Sequence, residues 1–190
     1  FMKLNKFKLA LSNYPTGIVC VFSKRKKLYE AIIVNSFTSV SLKPPLVLWS
    51  LDKNSSKFNA FKNSKDQMIV LLSKNQKKFA QKIAFNKDKV SDMELKKILK
   101  SSICSLYCTK LKKIMAGDHF TFFLKIKKIS NIKTLKPLIY YKKNFLTIWV
   151  IVSFLLFVKL RFLSINIKYI YLGKKKYHKF CTNFFRSCRI

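Results

Sequence analysis

The prolines at 44 and 45 constrain this chain more than any other feature, because they follow a run rich in hydroxyls: residues 35–46 read NSFTSVSLKPPL. Neither proline can donate to a β ladder, so any strand entering that run must end and turn before residues 46–51 (LVLWSL) open the next one. Upstream, residues 31–34 (AIIV) have the β-branched character of a buried strand, and no breaker separates them from Asn35, Ser36, Thr38, Ser39 and Ser41. The pattern predicts a strand whose end carries hydroxyls and a side-chain amide. Such groups, with backbone N–H, satisfy a ligand rimmed by carbonyl oxygens, ring nitrogens or phosphate oxygens; an ordinary Ser/Thr-rich edge strand has the same composition.

Periodicity organises the rest of the first three quarters. Leu4, Phe7, Lys8 and Leu11 recur at helical spacing, which predicts a helix over 4–12 closed by residues 13–17. Residues 17–22 (GIVCVF) read as a first strand and 23–27 (SKRKK) as its basic turn. Residues 52–56 (DKNSS) form a helix-start cluster, with Asn54 or Ser55 as N-cap of a helix over 56–61. Ser55, Ser56 and Lys57 at that helix start would offer N–H donors and positive dipole to a phosphate, or would simply cap the helix. A strand over 68–73 and a helix over 76–85 follow, the helix turning Phe79, Ala80 and Ile83 to the core. Residues 86–102 read as Lys-rich and irregular, with a short helix over 93–99. Two antiparallel strands, 104–112 and 120–129, join through 114–119; in the second, Phe120, Phe122, Leu124 and Ile126 alternate with Thr121, Phe123, Lys125 and Lys127. Residues 137–141 (PLIYY) complete a barrel.

Of the 190 residues 49% are hydrophobic and 15% aromatic, enough for one domain with a real core. Forty basic residues against seven acidic give a net charge of +33, a balance that raises nucleic acid and anionic membranes as partners. Nearly all of that charge is Lys; Arg, the better reader of phosphates and bases, occurs only at 25, 161, 186 and 189. We therefore expect no nucleic-acid partner, and read the lysines as solvated faces that steer anionic cofactors. The five cysteines, Cys20, Cys104, Cys108, Cys181 and Cys188, show neither CxxC nor zinc-ribbon spacing, so no disulfide framework and no metal are expected; Cys104 and Cys108, four apart in an apolar stretch, read as buried thiols. With no signal peptide in view, the expected address is the cytoplasm. Residues 146–190 form a different kind of sequence, apolar then basic. Residues 145–158 carry no charge, and extension to 163 gives 19 residues, about 28 Å as a helix, against roughly 30 Å of hydrocarbon. A membrane anchor over 145–163, a packing or dimer-interface extension, and a non-native tail all fit that composition.

The motifs PTG (15–17), NSFTSVSLKPPL (35–46), SLDKNSS (50–56), AGDH (116–119) and PLIYY (137–141), in this order, resemble the flavin reductase-like family. The resemblance runs from residue 9 to about 145 and sets the domain at 1–145. It implies a mainly β fold with flanking helices, an FMN-binding split β-barrel with antiparallel, Greek-key-like order. It also implies a homodimeric NAD(P)H:flavin oxidoreductase, the small reductase partner of a flavin-dependent monooxygenase, using FMN or FAD with NADH or NADPH. The 35–41 hydroxyls would then meet the isoalloxazine rim, Ser55, Ser56 and Lys57 the phosphate, and His119 the nicotinamide, where its imidazole would hydrogen-bond or position the carboxamide; a plain turn at Asp118 and His119 is the alternative. Two positions depart from the family: Val70 stands where many members carry a flavin-contacting Asn, and Leu124 where Gly is common. A non-catalytic FMN-binding barrel is the second function consistent with these residues, and a basic surface binder the third. No GxSxG, HExxH, P-loop or GxGxxG is present.

Overall fold

The computed structural model of the protein describes residues 4–85, 89–130 and 132–147. The proposed tail therefore lies, from 148 onward, outside the described residues, and so do Cys181, Cys188 and most of the 145–163 segment.

Helix α1, Leu4–Ser12, has the expected bounds but buries none of its residues. The short strand β1, Thr16–Gly17, leads into β2, Val19–Arg25, and β3, Leu28–Val34. The basic turn is tighter than its composition suggests: β2 continues to Arg25, and only Lys26 and Lys27 turn the chain, with Lys26 at a φ of 56°. β3 then ends at Val34, contrary to the unbroken passage expected into the hydroxyl run. Residues 35–37 leave the ladder, and β4, Thr38–Ser41, is a separate strand paired with β5, Leu46–Asp52. Helix α2, Phe58–Asn63, begins two residues later than expected; its N-cap is Lys57, with no side-chain cap bond, rather than Asn54 or Ser55.

β6, Asp66–Leu71, is followed by a 3₁₀ turn over Lys74–Gln76 and α3, Lys77–Phe85. β7, Val90–Ser91, and α4, Asp92–Ser101, occupy much of the stretch read as irregular; α4 contains the short helix expected over 93–99 and extends it at both ends. The long hairpin of β8, Cys104–Ala116, and β9, His119–Ile129, precedes β10, Leu138–Tyr141, and β11, Asn144–Thr147.

Eight strands form one antiparallel sheet in the order β4-β5-β9-β8-β6-β2-β3-β7. Two core clusters occupy its two faces. Val21 of β2, Ile69 of β6, Trp49 of β5 and Phe122 of β9 share one cluster although three strands separate β2 from β5 in the sheet. Side chains that far apart along a sheet meet only if the sheet curls round them, which is the barrel expected from the sequence. The barrel's open side is narrow. Residues 35–37 carry the chain from β3 to β4, a span of at most roughly 14 Å. Helix α2 plugs this opening with Phe61, wholly buried, and Phe58, whose ring lies 5.0 Å from that of Phe120.

The second cluster lies outside the curled sheet. Cys20, Phe22, Met68 and Val70 pack there against Ala80 and Ile83 of α3 and Leu95 and Ile98 of α4. Strand β10 does not complete the barrel, as residues 137–141 were expected to do. It joins β1 and β11 in a separate three-stranded sheet, which is tied to the residue just after β6 by the Leu138 amide donating to the Leu72 carbonyl (3.0 Å). No described helix is long and apolar enough to cross a membrane.

Candidate functional site

The β5–β9 register assembles the polar motifs. Leu51 pairs with Phe120 and points inward; its neighbours on the opposite face, Ser50 and Asp52, pair with Thr121 and His119. The same ladder puts Ala116 opposite His119 across the β8–β9 turn. Gly117 makes that turn at a φ of 65°, a conformation that a side chain strains, although nothing lies within 4 Å of where a Cβ would stand. The Lys53 amide donates to the Asp118 carbonyl (3.0 Å), so SLDKNSS and AGDH, some 60 residues apart in sequence, are clamped together.

His119 is half-buried, and its Nδ1 lies 2.6 Å from Asp118 Oδ1. The imidazole's hydrogen bond and its charge hold the Asp118 carboxyl below the usual carboxylate range. This contact orients the ring from its Nδ1 side. Sequence reasoning missed Ser50 and Thr121, whose hydroxyls lie 2.9 Å apart on the same face. Their signal was the phase of the two strands: each is the polar member between inward-facing aromatic or aliphatic neighbours.

The hydroxyl run is divided by its pleat. Thr38 and Ser41 oppose Leu48 and Leu46 and share the outer face with Ser50, whereas Ser39 opposes buried Val47 and belongs to the other face. Asn35 and Thr38 are exposed, and β4 is the outermost strand among the described residues, so one row of its backbone groups faces away from β5. Ser36 is engaged internally: its hydroxyl donates to the Ser50 carbonyl (3.0 Å) and accepts from the Ser50 amide (3.0 Å).

The 52–57 turn is also partly self-satisfied. The Asn54 amide donates to Asp52 Oδ1 (2.8 Å), the Ser55 amide to the Asp52 carbonyl (3.0 Å), and the Lys57 amide to Ser55 Oγ (3.3 Å). The N–H groups expected to be free at Ser55 and Lys57 are therefore bonded within the turn, while Ser56 is exposed. Lys57 is only 8% exposed, and its ammonium donates to the Ala31 carbonyl (2.6 Å), which joins α2 to β3 across the barrel's opening. Val70 and Leu124 are both wholly buried, the first in the helix-side cluster and the second inside the barrel. Neither presents surface to a ligand.

The donor set fits a flavin in kind: hydroxyls, an imidazole and a strand edge left open among the described residues match a rim of carbonyls and ring nitrogens. The described residues contain no group of three or more His, Cys, Asp or Glu side chains placed to hold a metal ion.

A curled antiparallel sheet with an α-helical plug and a GDH turn docked on a serine-rich loop defines a flavin-type split barrel, and comparison with known proteins agrees. The family described as "Flavin reductase like domain" matches residues 11–148, and this chain belongs to it, an oxidoreductase family. Among curated relatives, the FMN reductase (NADH) SmoA of Agrobacterium fabrum is 31% identical over 119 residues, covering 60% of this chain and 68% of the relative. The reductase subunit HsaB of a flavin-dependent monooxygenase from Mycobacterium tuberculosis is 25% identical over 148 residues, covering 73% of this chain and 79% of its own. Among solved structures, BorF, the flavin reductase component of a bacterial two-component tryptophan halogenase, superposes with a TM-score of 0.68 at 19% identity, covering 77% of this chain and 98% of that one; this likeness concerns the fold.

Proposed function

We propose that the chain takes hydride from NADH or NADPH to reduce FMN, FAD or riboflavin, and hands the reduced flavin, as a homodimer, to a partner monooxygenase. The observation that carries this reading is the Asp52–His119 register pair, which sets the imidazole beside the serine-rich loop and in line with the Ser50–Thr121 hydroxyls. When bound, the flavin and the nicotinamide supply the redox chemistry; the protein's part is positioning and exclusion of water. The β4 edge, Thr38 and Ser41 would meet the flavin rim, Ser55 and Ser56 its phosphate, and His119, steadied by Asp118, the nicotinamide amide. Because Ser36 and Lys57 already have internal partners, the remaining hold on flavin is light, which suits a flavin that leaves as product.

The same internal engagement supports a second reading, a barrel that binds FMN without turnover. One experiment separates them: add NADH anaerobically to the protein with FMN and follow the flavin's visible band. Bleaching supports the reductase, and a yellow protein that leaves NADH unconsumed supports the carrier. Protein that neither bleaches nor binds FMN or FAD at high micromolar concentration would end both.

A further inference from the structure

Beneath α4 the curled sheet leaves a cavity of about 430 Å³ that shares no residue with the candidate flavin site. Its size falls within the roughly 300–1,000 Å³ of small-molecule sites. The floor is the outer face of β2 and β6, carrying Phe22 and Met68, and the wall is the inward face of α4, carrying Leu95 and Leu99. Tyr29 and Tyr107 add two aromatic rings to the lining, and Tyr107 is 39% exposed.

The charged groups are few and unequal. Lys24 and Lys127 bring two ammonium groups, both on exposed residues, and Lys24 lies 5.8 Å from the centre of the Tyr29 ring. Asp66 is the one acidic residue in the lining, and its Oδ1 already accepts from the Thr109 hydroxyl (2.7 Å). The balance favours an anion at the mouth and apolar surface at the base.

We propose that this cavity binds a small flat aromatic carboxylate of one or two rings, its rings against Phe22, Met68, Leu95 and Leu99 and its carboxylate between Lys24 and Lys127. The single charge follows from the balance of the lining, two ammonium groups against the one Asp66 carboxylate. The flat body follows from the Phe22, Tyr29 and Tyr107 rings, whose edges and faces complement another ring better than a flexible chain. The site is separate from the flavin reading, because its lining includes no residue of the 35–41 run, the 52–57 turn or His119.

Isothermal titration of the full chain with 2-naphthoate tests the assignment. One equivalent should bind, and both neutral 2-naphthamide and aliphatic octanoate should bind at least about tenfold more weakly. The double variant Lys24→Gln/Lys127→Gln, altered only at exposed positions, should lose at least about tenfold in naphthoate affinity while its naphthamide affinity is unchanged. Leu99→Trp, which fills the cavity from its half-buried rim, should abolish both. Absent binding, equal affinity in the double variant, or octanoate binding as tightly as naphthoate would each overturn the proposal. So would stoichiometric displacement of naphthoate by FMN, which would place the anion in the flavin's own site.

Discussion

At the scale of single residues, the two polar groups that matter most to the fold are inside it. Trp49, wholly buried, donates its indole N–H to Gln67 Oε1 (2.9 Å), and the Gln67 amide donates onward to the Phe61 carbonyl (3.2 Å). Gln67→Leu would strand a buried donor and a buried acceptor, so the expected loss is about 2–4 kcal/mol, read from urea unfolding followed through Trp fluorescence. His119→Ala should slow NADH oxidation on the order of 10²-fold with FMN affinity largely retained, since the ring's proposed role is to place the nicotinamide; an unchanged rate would remove it from the mechanism. The Asp118 carboxyl that steadies this ring titrates below its ordinary value, because the imidazole bonds its charged form. A lowered folded value means that the stabilisation is present above about pH 4 and disappears as the pH falls through the folded value. A pH–rate profile should accordingly show no Asp118 step between pH 5 and 8. The Asp118–His119 contact could be anticipated as a motif, but the Ser36–Ser50 bonds could not, since nothing in the composition of a serine says whether its hydroxyl faces a ligand or a neighbouring strand.

Among the elements, the ends are more informative than the middles. Helix α4 opens on a complete capping box: Ser91 Oγ accepts from the Glu94 amide (3.3 Å) and Glu94 Oε2 accepts from the Ser91 amide (3.0 Å). It closes on Lys133, whose ammonium donates to the Lys100 carbonyl (2.6 Å). Ser91→Ala should cost about 1 kcal/mol in thermal or urea unfolding, and because α4 walls the cavity the same variant should loosen naphthoate binding. Ser91 lies in the stretch read as irregular and the capping box went unrecognised, although the S-x-x-E spacing was present. Gly117→Ala should lose about 1–2 kcal/mol from backbone strain alone, and should also disturb the Asp118 carbonyl that Lys53 holds. The β10–β11 hairpin was not legible for a related reason. It turns on Lys142 and Lys143, with φ of 47° and 63°, where the sequence has none of the Asn-Gly or Asp-Gly chemistry that marks such turns. Alternation did locate β9, because its inward Phe122 and Leu124 alternate with outward Thr121, Phe123 and Lys125, but pairing partners depend on the whole sheet.

The whole molecule carries +33 charges, and only seven acidic side chains oppose the lysines. Mutual repulsion weakens when the Debye length shrinks from about 30 Å at 0.01 M salt to about 8 Å at 0.15 M, so Tm should rise over that interval. Over the same interval kcat/KM for FMN should fall, since attraction of an anionic flavin is screened by the same ions. Tm independent of salt would mean that the charges are already neutralised by bound counter-ions. The architecture answers to a simpler principle: a sheet curled until three residues join β3 to the β4 edge, with that seam bridged by Ser36 on Ser50 and by Lys57 on Ala31. That double latch fixes the lip of the barrel before any guest arrives. A guest therefore meets a mouth already in shape, has little ordering to impose on entry, and has correspondingly little to hold it back on departure.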